Sequence, residues 1–432
     1  MANDFEKLIV TNEETEQRIK EGIEKHRKGN FKIKFSSVKP GTKVKVRLKN
    51  HKFRFGANLF MLDEFPDDRE RKNTLYRERF KEVFNLATLP FYWDATEPEE
   101  GKTRYEKGSS SLYRRPTIDL CMEYCEENNI EPREHALCYT NDYPKWLEGK
   151  SFEEFKPLME KRMQEISSRY GDKISTIEVT NEMFYPESAF DFYFRDDYIE
   201  YCFKLADKYF PNNKLGINEL HAIWNGNATI RDAYYGYISD TLHRGCRIDL
   251  IGMQYHMFHT KENYYQATRR FYNIPHLFKM LDQYSKFGKP IEITEITIPA
   301  YSGEADKEEE QADIIEKLYS LWFSHPNVEK IIYWNLVDGY AWASEPGDMS
   351  AGENIYYGGL LRFDLTEKPA FNRLKKLIKE TWSTNEVLSV EDNGELVFRG
   401  FYGDYEIIVE SENANQVIEA KFYKDNDEVV IK

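Results

Sequence analysis

Thr176-Ile177-Glu178-Val179-Thr180-Asn181-Glu182 is a short β-branched run that ends on an amide and a carboxylate. Its flanks have a different character. Residues 152–170 before it and 197–210 after it are amphipathic and read as helices. A short strand between two such helices is the core of a βαβ unit.

The same rhythm runs from Phe53 to about Trp382. Further strands are predicted near residues 53–58, 86–89, 134–139, 214–218, 250–254, 291–294 and 330–334, with the first described at 176–180. Further helices are predicted over 119–128, 230–244, 274–287 and 307–323. Alternating strand and helix argue for a parallel sheet with helices outside it. Eight units predict an α/β fold, a (β/α)8 or TIM barrel with loop insertions, over residues 51–382. A doubly wound open sheet is the alternative. It wants a glycine-rich phosphate turn after an early strand, and the sequence has none there.

The ends of the chain read differently. Residues 1–50 hold a charged helix over 13–28 and two alternating runs, 31–35 and 42–48, around Pro40-Gly41. They predict a β-hairpin packed on the barrel. Residues 383–432 hold short alternating runs between Asp, Asn and Gly turns, a small β-domain. A unit that small is marginal alone and is expected to dock on the barrel through Phe401, Tyr402 and Tyr405.

Composition removes several classes of function. With 75 acidic against 60 basic residues the net charge is −15, and no basic patch offers a nucleic-acid surface. No stretch approaches the roughly 20 apolar residues of a membrane span. Five cysteines without a CxxC pair fit a reducing compartment. Met1–Val10 shows no signal-peptide pattern, so a cytoplasmic location is expected, with a secreted form whose leader has been removed as the alternative.

In a barrel, function gathers at the C-terminal ends of the strands. The fourth strand ends in Thr180-Asn181-Glu182, and the seventh reads Ile291-Glu292-Ile293-Thr294-Glu295. Two carboxyls at one barrel mouth are the equipment for glycoside hydrolysis. The sixth strand gives Gln254 and His256, two apart and so on one face. His135, Trp334 and Trp342 lie at other strand ends or on the loops that follow, where an indole face can stack on a sugar ring. His256 and His259 are three apart, too little for a metal site; no cofactor and no metal are expected.

These motifs resemble glycoside hydrolase family 10, the endo-β-1,4-xylanase family. The resemblance rests on Trp93-Asp94-Ala95-Thr96-Glu97-Pro98 with Gly101-Lys102, and on Val179-Thr180-Asn181-Glu182. It rests also on Ile251-Gly252-Met253-Gln254-Tyr255-His256, on Ile293-Thr294-Glu295, and on Leu361-Arg362-Phe363-Asp364 with Lys368-Pro369-Ala370. It implies a retaining mechanism with Glu182 as acid/base and Glu295 as nucleophile. It implies that Asn181 contacts the sugar and that His256 hydrogen-bonds the nucleophile. His135, Gln254, Trp334 and Trp342 match residues lining the subsite where the bond breaks, with Trp93, Tyr92 and Tyr139 beside them.

The chain departs from the family at the second strand. The family's Glu-Asn-x-x-Lys-Trp is here Thr88-Leu89-Pro90-Phe91-Tyr92-Trp93, and its Trp-His pair after His135 is Tyr139-Thr140. Changed hydrogen-bonding groups alter specificity more than basal chemistry. The expected substrate is therefore a decorated xylan or short xylo-oligosaccharide, a β-linked glycan in either case. A retaining β-glycosidase for another β-glycan and a non-catalytic glycan-binding barrel are the alternatives.

Overall fold

The computed structural model describes residues 8–342, 344–411 and 415–431, so most of the Met1–Val10 stretch lies outside the described residues. Helix α1 (Glu13–Arg27) opens on a capping box in which Asn12 and Thr15 satisfy each other's backbone N–H. Strands β1 (Lys28–Phe35) and β2 (Lys43–His51) follow. The barrel then forms from β3 (Arg54–Asn58), β4 (Leu86–Pro90), β5 (Glu131–His135) and β6 (Thr176–Asn181). It is completed by β7 (Lys214–Glu219), β8 (Leu250–His256), β9 (Ile291–Thr297) and β10 (Val328–Tyr333). The ladder closes in the order β10-β3-β4-β5-β6-β7-β8-β9, all parallel.

One long helix follows each barrel strand. These are α2 (Arg69–Val83), α3 (Ile118–Glu127), α4 (Phe152–Tyr170) and α5 (Tyr198–Tyr209). Then come α6 (Ala233–His243), α7 (Ile274–Tyr284), α8 (Ala305–Ser324) and α9 (Pro369–Lys376). Helices outside and side chains inside bury both faces of the sheet, which is why β8 and β9 are buried throughout.

The third barrel strand begins earlier than its apolar residues suggest. It runs Glu131–His135 rather than 134–139. Its charged start is tolerated because Arg133 meets Glu178 at 2.5 Å and Glu292 at 2.9 Å inside the barrel, and Lys330 joins Glu292 at 3.0 Å. Past His135 the segment still donates backbone N–H groups of Leu137 and Cys138 to Glu178 and Val179.

The expected N-terminal hairpin is corrected. β1 and β2 do not pair; they lie in different sheets. The chain continues from α9 into β11 (Asn385–Ser389), β12 (Glu395–Phe401), β13 (Gly403–Val409), β14 (Gln416–Phe422) and β15 (Asp427–Ile431). One sheet has the order β12-β1-β15 and the other β11-β2-β13-β14. The two ends of the chain thus form one β-sandwich around Phe31, Ile33, Val46, Phe398, Ile407 and Phe422. Alternation on β1 and β2 only requires a partner with an apolar face. The long connection between them lets each strand join a different sheet.

The sandwich docks at the end of the barrel where the strands start. His51 and Phe401 pack on Phe323, which stacks on Trp382 at 4.4 Å. Tyr405 points into the sandwich core instead. The opposite mouth is left to the loops. Among the described residues no helix is long and apolar enough to cross a membrane.

Candidate active site

The strand ends of the barrel converge on a cleft of about 510 Å³. β6 delivers Asn181 and, one residue past its end, Glu182. The backbone of Glu182 is left-handed at φ 56°, a conformation that costs of order 1 kcal/mol and turns the side chain inward. β9 delivers Glu295, and β8 delivers Gln254 and His256. All five are buried.

One amide links the two carboxyls. Gln254 Nε2 donates to Glu182 Oε1 at 2.8 Å and to Glu295 Oε1 at 3.1 Å. A shared donor at those distances keeps these two oxygens within about 6 Å of each other, close enough for both carboxyls to act on one bond. Glu295 also accepts from Asn218 Nδ2 at 2.9 Å and from His256 Nε2 at 3.2 Å. His256 Nδ1 meets Thr297 Oγ1 at 2.9 Å. Burial pushes His256 down to about 4, so the ring is neutral at pH 7. A proton on Nε2 would face Glu295 and leave Nδ1 to accept from Thr297.

Burial pushes the Glu295 carboxyl up to about 8; His135 opposes this and Glu182 adds to it. Three N–H donors favour charge on Glu295. Glu182 receives Gln254 and, at 2.8 Å, the hydroxyl of Tyr139. Asn181 Oδ1 accepts from Asn218 and Gln254 at 2.9 and 3.2 Å, which leaves its NH2 group for a ligand.

His135 sits below the pair. Its Nδ1 meets Glu178 at 2.8 Å and its Nε2 meets the Tyr92 hydroxyl at 3.0 Å. Burial disfavours a charged ring, but Glu178 outweighs it and the His135 pKa is raised. His135, Glu178 and Glu295 each offer one ligand atom within 4.8 Å of one another. Both ring nitrogens of His135 already have partners, so these groups fit a hydrogen-bonded network better than a metal centre.

Trp334 stands edge-on to His135 and His256, with ring centroids 5.6 and 5.7 Å away. Trp342 lines the same cleft and is 47% exposed. Tyr92 and Tyr139 line it too. Trp93 does not. It is buried under the cleft against Tyr143 and Trp146, and its Nε1 donates to Glu97 at 2.9 Å. It turns away because it begins a short helical turn, residues 93–96, that points its ring at the outer helices. Asp338, on the loop after β10, is tied to Lys368 at 2.6 Å and to the backbone of Gly359.

Asn218, Arg115 and Asp142 also belong to this site, and sequence reasoning passed over them. Asn218 had a legible signal, since it is a polar residue at a strand end. Arg115 lies in a loop and Asp142 at the end of a short 3-10 turn, with no motif to mark either.

A closed barrel with a bridged carboxyl pair at its C-terminal mouth defines the class of barrel glycoside hydrolases. The sequence model of "Glycosyl hydrolase family 10" matches residues 60–377. The chain belongs to glycosyl hydrolase family 10. It is 26% identical over 400 residues to "Anti-sigma-I factor RsgI6" of Acetivibrio thermocellus, covering 90% of this chain and 46% of that protein. It is 24% identical over 414 residues to "Endo-1,4-beta-xylanase 1" of Arabidopsis thaliana, covering 93% and 38%. This chain therefore spans about half or less of those relatives' length. Xylanase 10B of Thermotoga petrophila, solved in complex with xylobiose, superposes with a TM-score of 0.58 at 23% identity, over 76% of this chain and 95% of that one.

Proposed function

We propose that this chain is a retaining glycoside hydrolase that cleaves β-1,4-xylosidic bonds in xylan or xylo-oligosaccharides. The observation that carries the reading is the single amide of Gln254 held between Glu182 and Glu295. Glu182 gives its proton to the glycosidic oxygen as that bond breaks, while Glu295 attacks the anomeric carbon. Glu182 then takes a proton from water, which displaces the sugar from Glu295 and returns the pair to its starting state. The donors on Glu295 orient it toward the anomeric carbon. The free NH2 of Asn181 is placed to hold a sugar hydroxyl.

The named activities of the xylanase relatives support the substrate class. A non-catalytic glycan-binding barrel has no use for two carboxyls bridged in this way. Five unpaired buried thiols suit a reducing compartment, so the cytoplasm is the proposed location. The test is product analysis on xylans, xylo-oligosaccharides and other β-glycans, with the anomer of the first product followed by NMR. Release of a β-anomer from a xylo-oligosaccharide is expected. Release of the α-anomer, or no turnover on any of the glycans, overturns the reading.

A further inference from the structure

The cleft holds a cation that the protein pairs only loosely, with Asp142 at 3.9 Å and Asp94 also in the cleft. Arg115 side-chain exposure is 7%, yet among the described residues it makes one hydrogen bond, from Nη1 to the backbone oxygen of Arg114 at 3.3 Å. Its ion-pair partner, Asp142, is 3.9 Å away, beyond hydrogen-bond reach. Arg133, similarly buried, has two carboxylates within 2.9 Å. Burial pushes Asp142 up to about 7, so its charge is a weak counterweight.

The surroundings aim this guanidinium. Its centre lies 4.1 Å from the Tyr92 ring centroid and 4.4 Å from that of Trp342. Two rings fix the plane of the fork and leave its edge as the direction of approach. The neighbouring Arg114 has a left-handed backbone at φ 60°, held by Asn335 at 2.9 Å and by the Tyr340 carbonyl. Such strain persists only where packing enforces it. Tyr92 hydrogen-bonds His135, and the Tyr139 hydroxyl donates to Glu182, so Arg115 is one ring away from the reacting groups.

We propose that Arg115, held between Tyr92 and Trp342, binds the carboxylate of an acidic sugar unit, a hexuronate carried by the glycan. A desolvated cation is costly until it is neutralised, and a planar carboxylate matches the two parallel N–H groups of the fork. A neutral hydroxyl matches neither the charge nor the fork. The exposed part of Trp342 gives the sugar ring a surface to stack on, while Arg115 takes the acid. This rests on the glycosidase reading above and names its preferred substrate.

The test is titration calorimetry on the Glu295→Gln chain, which keeps ligands intact. The ligands are a neutral xylo-oligosaccharide and the same oligosaccharide bearing one hexuronate, placed on each sugar in turn. Binding about tenfold tighter or better is expected for at least one acidic isomer. In the added Arg115→Met background that ratio should collapse toward one, and Arg115→Lys, which keeps charge without the fork, should restore only part of it. Equal affinity of the neutral and all acidic ligands overturns the proposal, as does an Arg115→Met chain that retains the full ratio. If Arg115→Met does not fold, the ratio on the unsubstituted cleft and its loss in high salt decide. Binding needs no turnover. A chain that prefers the acidic ligand but hydrolyses nothing sinks the hydrolase reading alone, whereas turnover without preference sinks this one.

Discussion

Glu295 is held by Asn218, Gln254 and His256 at 2.9 to 3.2 Å, and its position follows from three separate strands. Glu295→Ala should lower kcat by at least about 10⁴-fold while thermal unfolding stays within a few degrees of the parent. Asn218→Ala removes one donor and the clamp on Asn181; kcat on a xylo-oligosaccharide should fall about 10- to 100-fold with little change in KM. The pair must carry one proton to work. kcat/KM should therefore follow a bell-shaped pH profile, its acid limb set by the nucleophile and its alkaline limb by the acid. In Glu182→Gln, assayed on an aryl xyloside that needs no acid, the alkaline decline should vanish. A decline that survives assigns the proton to another group. Glu182, Glu295, Gln254 and His256 were legible because they fall at strand ends. Trp93 was misplaced, because sequence position does not say which way a ring turns.

Elements were readable where their period was strong and their ends were marked. Residues 152–170 form a helix over the span expected, capped by Ser151 with Glu154. α2 was missed because its sequence, Arg69–Val83, is dominated by charge, and its buried face includes Lys72 over the Phe363 ring at 3.9 Å. Gly22 lies in the middle of α1. It is a contact: a Cβ there would meet the Ser324 carbonyl oxygen of α8 at 2.5 Å. Gly22→Ala should therefore destabilise by about 1–3 kcal/mol in urea unfolding, despite alanine's better helix propensity. A gain in stability would show that α1 is free to move off α8.

Over the whole molecule, buried acids set how stability answers pH. Burial pushes Glu219 from 4.5 up to about 8, its oxygens accepting the backbone N–H groups of Met183 and Leu220. Between those values the folded chain binds more protons than the unfolded one, so stability falls as pH rises. His51, His221 and His256 are pushed below their usual 6.5 and are neutral in both states above it. Unfolding free energy should thus drop by about 1–2 kcal/mol from pH 6.5 to 8, and Glu219→Gln should reduce that drop. An unchanged slope places the effect elsewhere. Sequence alone pointed to the barrel, the family and two carboxyls at strand ends, because hydrophobic period and strand-end position are local properties. Folding in three dimensions decided the rest. Alternation on β1 and β2 cannot name its partners, so only the assembled molecule shows residues 28–51 in one sandwich with residues 385–431. Nor does a sequence show a buried charge that is only loosely paired: Arg115 becomes notable only when Tyr92, Trp342 and Asp142 come together around it.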